Sequence, residues 1–137
     1  MAFADAQAGA VIISGESPAP VTVVGAVTRG DLLGFSGGWK RALATVGGVV
    51  QARCVASEDA VDGSTIVAYF GTVIIDGDRF SGATAGGALY AAESTNNGMY
   101  TQTAPSTTGD SNKVVGYMLT ETRAVVTPNA NVDTVAS

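Results

Sequence analysis

Twelve carboxylates, one thiol and no histidine define the chemistry open to this chain. Paired carboxylates would suit glycoside hydrolysis, one protonating the leaving group and the other acting as base or nucleophile. Glu93 and Glu121, close in sequence to Tyr90 and Tyr117, are the pair to consider. Neither is marked out by its setting, and most of the acids are flanked by turn residues. Asp76 and Asp78, with Asp59 or Asp62, offer oxygen ligands for Ca²⁺, but the regularly spaced acids and closing Glu of a twelve-residue calcium loop are missing. A hairpin turn at Asp76-Gly77-Asp78 accounts better for those residues. The absence of His removes the commonest general base and metal ligand. No activated-nucleophile motif or phosphate loop replaces it. The expectation is a protein that is not an enzyme and that needs no cofactor or metal.

Three further features have a sharp reading and a plain one. Arg29-Gly30-Asp31 matches an integrin-type tripeptide, but Leu32-Leu33 continues it into the fold, and a turn entering a strand is the plainer account. Trp39, Tyr90, Tyr100 and Tyr117 would make a carbohydrate platform if they shared a face; core packing and barrel rims are the stronger expectation. Cys54 stands alone between Arg53 and Val55 in an alternating run. No internal disulfide is possible, and a buried, inert thiol is expected.

The elements that must position these residues read as strands. Val and Thr favour pleated structure, and eighteen Gly supply turns and bulges. The apolar set leans on Ala and Val with only five Leu, so the core should be thin. Strands are expected over 20–28, 32–35, 39–44, 49–56, 65–76, 88–91, 99–103, 113–119 and 122–127, separated by Gly-, Asn- and Asp-rich turns. Asn96-Asn97-Gly98 is a strong hairpin signal, because Asn-Gly tolerates positive φ. The run 65–76 is apolar on both faces, which suits a central strand, and Gly71 in its middle suggests a bulge or bend. One short helical turn is expected at 57–62, capped by Ser57 and ended by Gly63. The fold class expected is all-β: a single compact barrel or sandwich-like domain over 21–127, an extended N-terminal arm over 1–20, and a loose tail over 128–137.

Composition narrows the partners. Charged residues are 14% of the chain, below the roughly 25% of soluble domains, while hydrophobic residues are 46%. So little charge suggests that part of the surface faces another protein. A net charge of −5 with scattered basic residues disfavours nucleic acid and anionic membranes. No apolar run is long enough to span a bilayer, and the start lacks the basic segment of a secretion signal.

The order of the segments RGDLLGF, WKRALATVGGVVQARCVA, DGSTIVAYFGTV, GGALYAA and VVGYMLTE resembles the head-decoration, or capsid cement, proteins of tailed bacteriophages. The matching steps are Gly30-Asp31-Leu32-Leu33, Ala42 to Ala56, Gly87-Ala88-Leu89-Tyr90 and Val115-Gly116, within about residues 21–127. Arg53-Cys54-Val55-Ala56 departs from the Gly-Val-Ala step more usual in that family. The resemblance implies a β-rich protein without catalytic residues that forms a homotrimer. It would be made in the host cytoplasm, sit on the outside of the virion, and clamp the major capsid protein against internal pressure. The arm would then contact the capsid or a neighbouring subunit through Phe3, Val11, Ile12, Ile13, Pro18 and Pro20. A β-sandwich module for carbohydrate or host surface, on a phage fibre or tail, is the alternative.

Overall fold

The structure, a computed structural model, describes residues 10–80 and 82–136. The described residues form two antiparallel sheets packed face to face, as a sandwich-like all-β domain. Eleven strands follow in chain order: β1 Val11–Gly15, β2 Pro18–Thr22, β3 Leu32–Phe35, β4 Trp39–Arg41, β5 Cys54–Ala56, β6 Thr65–Tyr69, β7 Val73–Asp76, β8 Ala88–Ala91, β9 Tyr100–Thr101, β10 Val114–Met118 and β11 Arg123–Val126. One sheet runs β1-β7-β11-β10-β8-β9 and the other β2-β6-β5-β3-β4.

Period-two alternation decides what each strand buries. In the five-stranded sheet, Leu32 and Val55 are cross-strand partners and face the inter-sheet core, where they join Val73, Ile75, Leu89, Val115, Met118 and Val126 from the other sheet. Their neighbours Leu33 and Cys54 also pair, and face the opposite way. There they meet Val21, Ile66, Ala56 and Ala68 in a second apolar cluster, with Val23 and Val27 from the loop after β2. At β3 and β5 the five-stranded sheet is therefore buried on both faces. Small residues, Ala56 and Ala68 on its strands and Ala42, Ala44 and Ala52 in the adjoining loops, let layers approach closely.

The two sheets are continuous at one corner. The long apolar run 65–76 is two strands, β6 in one sheet and β7 in the other, broken at Phe70–Thr72. The bend anticipated at Gly71 is thus a change of sheet. The 1–20 segment follows the same path from Val11 onward. β1 pairs with β7, β2 pairs with β6, and Glu16–Ser17 bonds to Phe70–Thr72 across the corner. From Val11 onward this stretch therefore lines sheet edges of its own chain, and a boundary at residue 20 falls inside β2. Close approach fixes Gly at the corner: a Cβ on Gly15 would lie 2.6 Å from the Tyr69 ring, and one on Gly71 2.8 Å from the Glu16 side chain. Ser17 takes φ 55 to complete the turn.

The helical turn expected at 57–62 is not there. Ser57 instead bonds to Val67, and Ala60 forms a bridge with Val27. The acids that looked like a first-turn set serve the facing loop: Asp59 accepts from the Arg29 N–H at 2.9 Å, and Asp62 from the Gly25 N–H at 2.8 Å. So short a turn nucleates poorly and lost to these longer-range bonds. Among the described residues a single 3₁₀ turn occurs, elsewhere, at Asp78–Phe80. The C-terminal segment is also more tied down than its lack of periodicity suggests. Thr134 bridges Ser111, and Val135 exchanges bonds with Gly109 and Asp110.

A buried ion cluster pins the sheets at the entrance to β3. Asp31 is 1% exposed and accepts from the Arg79 guanidinium, itself fully buried, and from Arg41 Nε at 2.7 Å. Arg79 donates further to the carbonyls of Arg29 and Gly98, and its guanidinium lies 5.4 Å from the centre of the Tyr100 ring. Tyr100 in turn donates its hydroxyl to the Gly30 carbonyl at 2.8 Å. Asp31→Asn would leave two guanidinium groups without their counter-charge. Removing one partner of a buried pair costs about 3–5 kcal/mol. Urea unfolding should show a loss of that size, while Glu121→Gln in the exposed β10–β11 turn should change stability by less than about 0.5 kcal/mol.

Candidate interaction surfaces

Two surfaces stand out, one on each sheet. The first is the outer face of the six-stranded sheet. Ile74, Val125, Tyr117 and Ala88 are successive cross-strand partners on β7, β11, β10 and β8. Because Ile75, Ala124 and Met118 beside them face the core, this row lies on the outer side of the sheet, where Val125 is itself only 9% exposed. Val114, opposite Tyr90, extends it on one side, and Val11 and Ile13 of the edge strand β1 lie at the other. Val11, Ile13, Val114 and Tyr117 are each about half exposed, at 52%, 50%, 50% and 47%. A sheet exposed to water on one face ordinarily alternates apolar and polar residues; here both faces are apolar. The Asp76–Arg123 ion pair, 2.7 Å, borders the patch, and the Arg123 guanidinium holds the Asp76 carboxyl below its ordinary range.

The second surface is a groove of about 360 Å³ lined by Phe35, Trp39, Arg53, Phe70, Asn129 and Ala130. The turn Ser36-Gly37-Gly38 folds β3 onto β4, so Phe35 and Trp39 become cross-strand partners. Their rings meet edge to face at 5.4 Å, and Trp39 meets Phe70 in the same way at 5.5 Å. Trp39 and Phe70 plug the open end of the second apolar cluster, while Phe35 stands 63% exposed. Arg53 closes the opposite wall. Its Nη1 donates to the carbonyls of Asn129 and Asn131, at 3.0 and 3.1 Å.

Behind that wall lies Lys113, 2% exposed, whose ammonium donates to the carbonyls of Ala52 and Asn129. Burial pushes this lysine down to about 8, with Arg53 acting in the same direction and Asp133 against it. The chain therefore anchors its C-terminal segment with two cations on one carbonyl.

The residues singled out in the sequence divide among these places. Val11 and Ile13 lie on the apolar patch, whereas Ile12 turns inward against the main core. Pro18 and Pro20 are exposed on β2, in the other sheet, so the structure does not gather them with the Val11–Ile13 run. Phe3 lies outside the described residues. The four candidate platform aromatics do not share a face. Trp39 is in the groove, Tyr100 is buried, and Tyr90 and Tyr117 are on the outer face of the six-stranded sheet. The tripeptide at 29–31 cannot present its aspartate, because Asp31 is buried in the ion cluster. Glu93 pairs with Asp110: the hydrogen bond between them raises Glu93, and the Val46 N–H lowers Asp110. Glu121 lies in the exposed turn between β10 and β11. Among the described residues, no three His, Cys, Asp or Glu side chains stand together as a metal site.

Sequence reasoning missed Phe35, Phe70 and Arg53. The signal for the first was present, since a Gly-Gly turn between Phe35 and Trp39 brings those positions opposite each other. Phe70 was hidden by the reading of 65–76 as one central strand. In comparisons with known proteins, no family model, no curated protein and no solved structure matches the chain.

Two measurements follow from the buried groups. Cys54 is fully buried, and desolvation pushes its thiol up to about 12; iodoacetamide at neutral pH should label it at least about 100-fold more slowly in the native protein than in urea. For Lys113, the unfolded chain holds its proton to about pH 10.5 and the folded one to about 8. Between those values the unfolded state binds more protons, so this group makes stability rise with pH. Comparing urea midpoints near pH 7 and pH 10, the native protein should gain on the order of 1–3 kcal/mol more than Lys113→Met does.

Proposed function

We propose that this chain is a non-enzymatic structural protein that assembles with copies of itself, as a trimer, on the outer surface of a phage capsid, where it binds the major capsid protein and stabilises the shell. The observation that carries this reading is the apolar outer face of the six-stranded sheet. An apolar face of this kind is the mark of a surface that another protein covers. Closed symmetry is the ordinary way for identical copies to cover it without aggregating. The composition supports the same conclusion, since a 14% charged chain has little charge with which to solvate a free surface. The order of strand motifs that resembles capsid cement proteins supports the capsid as the site of assembly. Repetition over a shell would then make modest individual contacts firm.

Strand addition at the β2 edge is a poor route to that contact. Pro18 and Pro20 remove N–H donors from β2, which lies at the margin of its sheet. Face packing through Tyr117, Val114 and Val11 is the favoured mode.

A second reading, a carbohydrate- or host-surface-binding module, is favoured by a different observation. The Phe35–Trp39–Phe70 groove combines exposed aromatic rings with a guanidinium, a combination suited to a small ligand with apolar and polar sides.

The two readings separate in one experiment. Purified protein is mixed with capsids that lack a decorating protein, and the sedimenting fraction is assayed. Co-sedimentation, with light scattering showing a species about three times 13.7 kDa, supports the first reading. Tyr117→Glu, at a half-exposed site, should leave stability within about 1 kcal/mol and shift the assembly toward monomer. A native protein that stays monomeric at high concentration and does not bind capsids overturns the first reading.

A further inference from the structure

We propose that the groove beside Arg53 binds a carboxylated saccharide, with the sugar's C–H surface against Phe35 and Trp39 and its carboxylate on the free side of the Arg53 guanidinium. This rests on the second reading of the groove as a carbohydrate site, and adds the ligand class and the residue that selects it.

Arg53 carries the argument. The guanidinium is a planar fork with five donors, made for two-point contact with a carboxylate. Nη1 is already fixed by the Asn129 and Asn131 carbonyls. Nε and Nη2 have no partner among the described residues, and Arg53 is only half-buried beside the open groove. The fork is therefore oriented before any ligand arrives, which lowers the entropy cost of binding.

Charge complementarity sets the sign of the ligand. Arg53 and the buried Lys113 converge on the same Asn129 carbonyl, and Arg53 acts on Lys113 as a like charge. None of the ion pairs formed among the described residues reaches either cation. A net-acidic chain thus holds Arg53 at one wall of an aromatic groove and Lys113 behind it, neither in an ion pair among the described residues, with Asp133 acting on Lys113 only through space. An anionic group there would be attracted by both.

The aromatic wall sets the rest of the ligand. Phe35 is 63% exposed although its cross-strand partner Trp39 and Phe70 pack below it. A ring with an apolar face and polar edges covers such a wall while its hydroxyls stay in water. The open, shallow shape suits one or two sugar units.

Trp39 is the single tryptophan and reports directly on the groove. Titrating the full chain with sialyllactose, and separately with lactose, should quench its fluorescence about tenfold more tightly for the sialylated sugar, the scale of one charge-assisted contact. Phe35→Ala, at an exposed position that leaves the fold intact, should weaken both by about fivefold or more. Arg53→Gln should abolish the preference while retaining weak binding of both sugars. Arg53→Lys, which keeps the charge but loses the fork, should keep only part of it. Equal binding of lactose and sialyllactose by the native protein overturns the role of Arg53 but leaves the groove a carbohydrate site. Binding of neither sugar overturns both. Sialyllactose binding that is indifferent to Phe35→Ala and Arg53→Gln places the ligand elsewhere and overturns the proposal, as does Arg53-dependent binding of a peptide carboxylate with no response to either sugar.

Discussion

The Asp31 carboxylate, buried between Arg79 and Arg41, is the constraint on which the rest of the fold depends. Each partner brings a different part of the chain. Arg79 comes from the 3₁₀ turn after β7, in the six-stranded sheet, and Arg41 from β4 at the far edge of the other. Arg79 also reaches Gly98 in the β8–β9 connection, Tyr100 bonds back to Gly30, and Arg29 Nε holds the Ala10 carbonyl just before β1. A core built from Ala and Val has few large, distinctive shapes with which to select one alignment of two sheets. Directional, charge-assisted bonds supply that selection at a single point. The arrangement has a cost, since Arg79 Nε is buried without a hydrogen-bond partner among the described residues.

Much of the secondary structure was legible in the sequence because turns and alternation are local. Ala88–Ala91, the two last strands and the Gly-Gly turn before Trp39 all follow from residues within a few positions of one another. What was not legible depends on distant partners. Nothing near Ser57 indicates that Asp59 and Asp62 will serve the loop at 25–29 in place of capping a helix. Nothing near Pro128 indicates that Arg53 and Lys113 will both hold the Asn129 carbonyl. The run 65–76 was read correctly as apolar on both sides, but the reason is that its halves face two different cores. Of the surfaces, the exposure of Val11 and Ile13 could be suspected from composition. The groove could not, because it unites residues from β3, β4, the residue before β5, the β6–β7 corner and the C-terminal segment.

The two surfaces are independent by construction. The apolar row belongs to the outer side of one sheet, and the aromatic groove to the other. Leu33, which shares a face with Phe35 and Trp39, points away from the inter-sheet core. Occupying the apolar row would therefore leave the groove open, and an assembly built through the six-stranded sheet would display Phe35 and Arg53 outward. Both surfaces can operate in one protein without competing.

The double-stranded corner also governs the order in which the molecule can come into being on the ribosome. β1 and β2 leave the ribosome well before their partners β7 and β6, and β7 is itself flanked by β11. The six-stranded sheet therefore cannot close until β11 has been translated. Folding dominated by such distant pairings is slow. During that interval the Val11-Ile12-Ile13 run is unprotected, whereas Pro18 and Pro20 immediately after it resist pairing with strands from other nascent chains. The prolines limit pairing at β2 alone, so the neighbouring β1 segment stays open to other strands until β7 arrives.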